Sequence, residues 1–243
     1  MPLTADAQLL DVWESGLVQH PVDRALTLLL AAEPGETRPG LAALPLSQLD
    51  GRLLRAYRQA IGPRLACRAT CPACGEELEF GLETAGLEGQ GVDSLPATFT
   101  FPRDGYRVEF RLPNSLDLAA SAACAEVAEA RRMLLGRCIL RARQGEAEVD
   151  PGDLPDGLVL ALEEHMGEFD PQAEWLLDLV CAACGHAWQE RLDIAGFIWA
   201  QIHARARRVL LEVHSLASAY GWSEGEILAM SPARRQAYRE MIE

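Results

Sequence analysis

The chain has 243 residues, 49% of them apolar and 24% charged, with seven cysteines and a formal net charge of −14. That is ordinary globular usage, long enough for a buried core without a disulfide framework, and it suggests one or two domains. All 22 basic residues are arginine, which excludes Schiff-base and P-loop lysine chemistry, and the acidic balance weighs against the basic stripes of nucleic-acid binding.

Leu9, Leu10, Val12 and Trp13 predict a short first helix stopped by Gly16. His20-Pro21 opens a second, where a missing N–H costs least, with Val22, Ala25, Leu26 and Leu29 as its stripe. Glu33 to Gly40, with two Pro and two Gly, reads as a loop. A third helix starts near Pro45-Leu46-Ser47, shows an amphipathic face of Leu46, Leu49, Leu53, Tyr57 and Ile61, and ends at Gly62-Pro63. Leu65 to Thr70 reads as a strand running into Cys71-Pro72-Ala73-Cys74-Gly75, and Leu78, Phe80 and Leu82 alternate with polar residues beyond it. A Gly-rich loop is expected over 86–94. A hairpin follows, with Phe99 and Phe101 on one arm, an Asp104-Gly105 turn, and Tyr106, Val108, Phe110 and Leu112 on the other.

Asn114 or Ser115 is expected to cap a long helix from about Leu116 to Arg143, and the acidic 144–157 stretch is the best linker candidate. Leu158 to Met166 is a short helix. Trp175, Leu177 and Leu179 alternate into Cys181-Ala182-Ala183-Cys184-Gly185, and a strand from Trp188 to Ile194 leaves it. Ala195 to Tyr220, a segment after Ser223 and one after Ser231-Pro232 are helical, and Ser223 with Glu226 fits a capping box.

The motif that carries chemistry is strand–Cys-x-x-Cys-Gly–strand, present twice. Such a turn supplies two thiolates from one chain reversal, so Cys71, Cys74, Cys181 and Cys184 are expected to form one structural four-cysteine zinc site, closed to water and hence not catalytic. The usual gap between knuckles is ~15–20 residues; here 106 residues lie between Cys74 and Cys181, so the ribbon must carry a long insertion, or each pair is a half-site completed elsewhere. Redox pairs are the alternative, but those normally open a helix, and these lie between strands. An Fe-bound four-thiolate site stays open beside zinc. Cys67 and His186 are possible extra ligands; a buried strand thiol and an exposed turn histidine are the plainer readings. Cys124 and Cys138 read as core thiols.

No phosphate loop, nucleophile elbow or H-E-x-x-H motif occurs. Glu163-Glu164-His165 reads as a solvated helix face, since adjacent helical residues diverge. His203 and His214 share one helix side without a second ligand pair. Arg131-Arg132 and Arg205, Arg207, Arg208 read as solvated faces. Glu76, Glu77, Glu79 and Glu83 beside the first knuckle would repel phosphate; only Trp188 and Arg191 favour a nucleic-acid-binding zinc ribbon, the rival reading. No segment reaches the ~18 apolar residues of a membrane span, and Met1 to Leu10 has no basic region of a signal peptide. The expected location is the bacterial cytoplasm, where thiols stay reduced.

The expected fold is α+β and predominantly helical, with a small zinc-ribbon β-element carrying an inserted hairpin and helices. The parts are a helical region 1–63, a split ribbon 64–194 with its insertion at about 87–173, and a helical region 195–243.

Three stretches carry a resemblance: Leu10-Asp11-Val12-Trp13-Glu14 with His20-Pro21-Val22-Asp23-Arg24-Ala25-Leu26; the two knuckles; and Tyr220-Gly221-Trp222-Ser223-Glu224-Gly225-Glu226-Ile227-Leu228 with Ser231-Pro232, Arg234-Arg235 and Tyr238. Together they resemble the zinc-ribbon proteins encoded with contractile phage tails and contractile injection systems, similar in turn to phage baseplate hub assembly chaperones. The resemblance implies a non-enzymatic role as assembly factor or structural component of a baseplate, with baseplate or tail hub proteins as partners, no membrane, and retention in the assembled tail particle left open. It transfers only the four cysteines, as zinc ligands. Trp13, Tyr220 and Trp222 are candidate partner contacts, with core packing as the equal alternative.

Overall fold

Four N-terminal helices lead the chain in the computed structural model, which describes residues 5–87, 95–171 and 173–242. They are α1 (Asp6–Leu17), α2 (Pro21–Ala32), α3 (Arg38–Ala42) and α4 (Leu46–Ala60). The helix α3 lies where a loop is expected: Thr37 caps it by accepting from Gly40 N, and Pro39 fits its first turn, so a Pro-rich stretch is helical here. Gly16 does not stop α1. It is buried inside the helix against Trp199, and a Cβ at Gly16 would overlap that indole ring. Gly16→Ala is therefore expected to cost about 1–3 kcal/mol by overpacking, read as a lowered urea midpoint with an unchanged m-value.

Two antiparallel hairpins carry the Cys-x-x-Cys turns: β1 (Arg64–Thr70) with β2 (Glu77–Glu83), and β7 (Leu176–Val180) with β8 (Ala187–Arg191). Between them lies a four-stranded antiparallel sheet in the order β3 (Phe99–Arg103), β4 (Tyr106–Phe110), β5 (Ile139–Gln144), β6 (Ala147–Glu148). The β3–β4 turn is the expected one; Asp104 and Gly105 take φ of 51° and 80°, which matches the right-handed twist of the strands. The expected Gly-rich loop begins as a 3₁₀ turn at Thr84–Gly86, and its residues 88–94 lie outside those described.

The expected single helix over 116–143 is three elements. Asn114 and Asp117 form a capping box that starts α5 (Ser115–Ser121), α6 (Val127–Cys138) follows, and the chain then enters β5. A lone two-stranded hairpin is marginal in water. Strand β5 pairs with β4, placing Ala142 beside Val108 under the sheet. The expected linker at 144–157 is no linker: Gly145 (φ 62°) turns β5 into β6, and Leu154 is buried. The helix α7 (Asp156–Phe169) then covers the sheet.

The apolar core has two parts. One joins Phe99, Phe101, Val108 and Phe110 of the sheet to Leu135, Leu158, Leu162 and Met166. The other joins α1, α2 and α4 to the long helix α8 (Ile194–Tyr220) through Leu29, Leu53, Leu54, Ile198, Ile202 and Val209, and it includes Leu65 and Cys67 of β1 and Leu192 just after β8. The start of α4 is tied to the segment before α5 by Leu46 N donating to Pro113 O at 3.2 Å. Gly221 ends α8 in the left-handed conformation at φ 70°, and α9 (Glu224–Leu228) and α10 (Pro232–Glu240) fold back on it, capped by Ser223 with Glu226 and by Ser231. Among the described residues, no helix is long and apolar enough to cross a membrane.

Candidate metal centre

Both knuckles are built alike. In the first, Cys71 N donates to Glu76 O at 2.8 Å and Gly75 N to Cys71 O at 2.9 Å; in the second, Cys181 N donates to His186 O and Gly185 N to Cys181 O, both at 2.9 Å. The turn closes only with a left-handed residue after the second cysteine, and Gly75 (φ 77°) and Gly185 (φ 73°) supply it without a Cβ clash. The first cysteine of each turn is buried and the second exposed.

The fold brings the two turns together. All four Sγ atoms of Cys71, Cys74, Cys181 and Cys184 lie within 4.8 Å of one another, with Cys71–Cys184 at 3.7 Å and Cys74–Cys181 at 3.6 Å. Four thiolates at ~2.3 Å from a tetrahedral ion stand about 3.8 Å apart, so these separations fit a zinc or iron ion held by four sulfurs. The electrostatics point the same way. Burial pushes the Cys71 thiol up, yet the amides of Ala73 and Cys74 and the sulfurs of Cys74 and Cys184 together bring it down to about 7. Cys74 stands at about 12: the Glu76 amide lowers it, but the neighbouring sulfurs of Cys184, Cys181 and Cys71 hold it up. Cys71 thus ionises readily while Cys74 and Cys184 are held up, the pattern of thiols crowded against one another.

The other candidates sit apart from this cluster. Cys67 points into the helical core, where burial raises its thiol pKa. Cys138 is fully buried in the second core, and burial pushes it up to about 12. Cys124 is half-buried between α5 and α6, near Met133. His186 is exposed and stacks with Trp188. Trp188 donates to Glu190 at 3.0 Å and Arg191 pairs with Glu174 at 3.7 Å, so the two residues that favour nucleic acid are engaged within the chain. Glu163, Glu164 and His165 diverge: Glu163 pairs with Arg131, Glu164 is exposed, and His165 packs between Phe101 and Phe169. His203 accepts from Trp13 Nε1 at 3.0 Å, while His214 is exposed. Arg205 pairs with Asp6; Arg132, Arg207 and Arg208 are exposed. Trp222 stacks on Tyr220 at 4.4 Å and meets Tyr238 edge-on at 4.8 Å, and Tyr220 remains 38% exposed.

Sequence reasoning missed Asp50. It lines a cavity of about 360 Å3 with Leu46, Leu49, Trp175, Ile194 and Asp193, where α2, α4, β7–β8 and α8 meet. Burial, with Asp193 and Asp170 nearby, holds its carboxyl up at about 7 in spite of Arg191. A raised acid binds its proton more tightly in the folded state, so stability is greatest below the unfolded value and falls as pH rises through 7. Asp50→Asn is expected to raise stability at pH 8 by on the order of 2 kcal/mol and to change it little at pH 4, as urea melts at both pH values would show. The only local signal is an acid next to Leu49 on the edge of an apolar stripe.

A family model described as T4 bacteriophage base plate protein matches residues 24–198. No curated protein and no solved structure matches. The matched span runs from α2 into the start of α8 and includes both knuckles and the inserted sheet; Trp13 and the Tyr220-Gly221-Trp222 ending lie outside it. With the match extending over most of its length, the chain belongs to the T4 bacteriophage base plate protein family.

Proposed function

We propose that this protein is a non-enzymatic assembly factor or structural component of the baseplate of a contractile phage tail or contractile injection system, stabilised by one structural zinc ion on Cys71, Cys74, Cys181 and Cys184. The observation that carries the reading is the family match over a span that contains both knuckles, together with the convergence of their four sulfurs. A four-thiolate set leaves no open coordination position, so the ion would fasten the two hairpins rather than activate water. It ties chain segments on either side of the inserted sheet and thereby fixes where that sheet projects from the helical core. Partners are baseplate or tail hub proteins, and the half-exposed Tyr220 beside Trp222 is a candidate anchor. Trp13 is the weaker candidate, since its indole N–H is already used by His203.

The deciding experiment is quantitative mass spectrometry of the tagged chain in its native host, in lysate complexes and in purified particles. Stoichiometric presence in particles makes it a structural component. Baseplate partners in lysate with none of the chain in particles make it an assembly chaperone. No tail partner in either sample overturns the reading. A nucleic-acid-binding ribbon would instead show binding to DNA or RNA that falls steeply with added salt.

A further inference from the structure

Each knuckle hairpin has two strands, so β2 and β7 each keep one edge without a ladder partner among the described residues. The hydrogen bonds at the hairpin ends fix which peptide groups lie on that edge. Cys71 N donates to Glu76 O and Thr84 N to Pro63 O. Antiparallel pairs alternate between bonded and non-bonded, so the peptide groups of Glu77, Glu79 and Gly81 turn away from β1. By the same alternation, with Cys181 N donating to His186 O and Leu192 N to Trp175 O, those of Leu176, Asp178 and Val180 turn away from β8.

Residues of both edges line one groove of about 420 Å3. Its walls carry Glu76, Glu77, Glu79 and Asp178 and no basic residue. Glu79 is paired with Arg68 at 2.7 Å; Glu76 and Glu77 face no cation among the described residues. Val180, at 63% exposure, adds an unpartnered apolar side chain. The groove therefore combines open backbone hydrogen-bonding groups, apolar surface and charge of a single sign.

We propose that this groove binds an extended basic segment of another protein by strand addition along β2 or β7. The added strand's main chain pairs with the open edge, and side chains at alternate positions supply specificity. Lysine or arginine stems cover the apolar wall while their charged ends meet Glu76, Glu77 and Asp178. Charged edges also guard sheets against self-association; here the charge is wholly acidic, so a second copy is repelled by its own carboxylates while a basic strand is admitted. Phosphates are repelled as well. The inference goes beyond the baseplate reading and does not depend on it.

The test uses the full chain with its bound metal and a fluorescein-labelled peptide of about ten residues alternating lysine and valine, long enough for a typical strand. Fluorescence anisotropy is expected to show saturable binding that weakens with salt. The double change Glu77→Lys and Asp178→Lys is expected to weaken it about tenfold, and methylation of alternate peptide nitrogens, which removes main-chain donors, to weaken it about tenfold as well. Both substituted positions are exposed, and metal content and melting midpoint confirm that the variant is folded. If it is not, Glu77→Gln with Asp178→Asn takes its place. Absence of saturable binding overturns the proposal. So does equal affinity for the methylated peptide, which would leave charge attraction alone, or equal affinity of the folded charge variant. Tighter binding to a single-stranded oligonucleotide than to the peptide also overturns it.

Discussion

Replacing Cys181 with serine is expected to abolish stoichiometric metal retention and to destabilise the whole chain, with a loss of about 5 kcal/mol or more. Binding of a structural zinc ion is worth roughly 10–16 kcal/mol to a zinc-finger peptide, and that energy is folding energy because the unfolded chain has no site. The effect reaches beyond the knuckle because the hairpins share the helical core: Leu65 and Leu192 are buried in it, and Phe80, Leu82, Trp175 and Leu177 pack against it. Cys67→Ser is the control. Its thiol is as buried as Cys181 but faces the core, so the change is expected to cost about 1–3 kcal/mol for an unmatched hydroxyl and to leave the metal in place. Elemental analysis after gel filtration, with urea melts of each variant, reads both outcomes. Metal lost from Cys67→Ser and kept in Cys181→Ser would show that the ligand set is wrong.

Arg235→Ala is expected to cost about 3–5 kcal/mol, the usual loss when one member of a buried ion pair is removed. Arg235 is 2% exposed. Its guanidinium pairs with Asp6 of α1 and with Glu212 of α8 at 3.3 Å, and donates to Met230 O at 2.9 Å. One side chain thus fastens the last helix to the first and to the longest. Its removal leaves Asp6, 8% exposed, with Arg205 alone at 3.0 Å. Arg235→Lys is expected to recover little, because a single ammonium cannot span two carboxylates and a carbonyl as the planar fork does. In a double-mutant cycle with Asp6→Asn, the two losses should fall short of additive by about 1–3 kcal/mol. Additive losses would show that the contact carries no coupling.

What the sequence determined by itself was whatever a few neighbouring residues decide. Cys-x-x-Cys-Gly turns close through their own amides and a glycine at positive φ. Asp104-Gly105 sets its hairpin, and Ser223 with Glu226 starts a helix by local hydrogen bonds. The mixed, mainly helical α+β class followed from such segments and from apolar periodicity. Tertiary structure decided the rest. The run after Ser115 is dominated by good helix formers despite Val127 and Gly136, so it reads as one helix across both the break and the strand at Ile139–Gln144. That strand exists because the open edge of β4 and the apolar underside of the sheet need it. Gly16 reads as a stop until Trp199, far along the chain, is seen against it. Asp50 drew no reading from the sequence, and its setting comes from α2, α4, β7–β8 and α8 meeting around it. The convergence of two knuckles separated by 106 residues is of the same kind. Each hairpin can form its own turn, but the 3.6–3.7 Å contacts between their sulfurs arise only because both are held on one helical core.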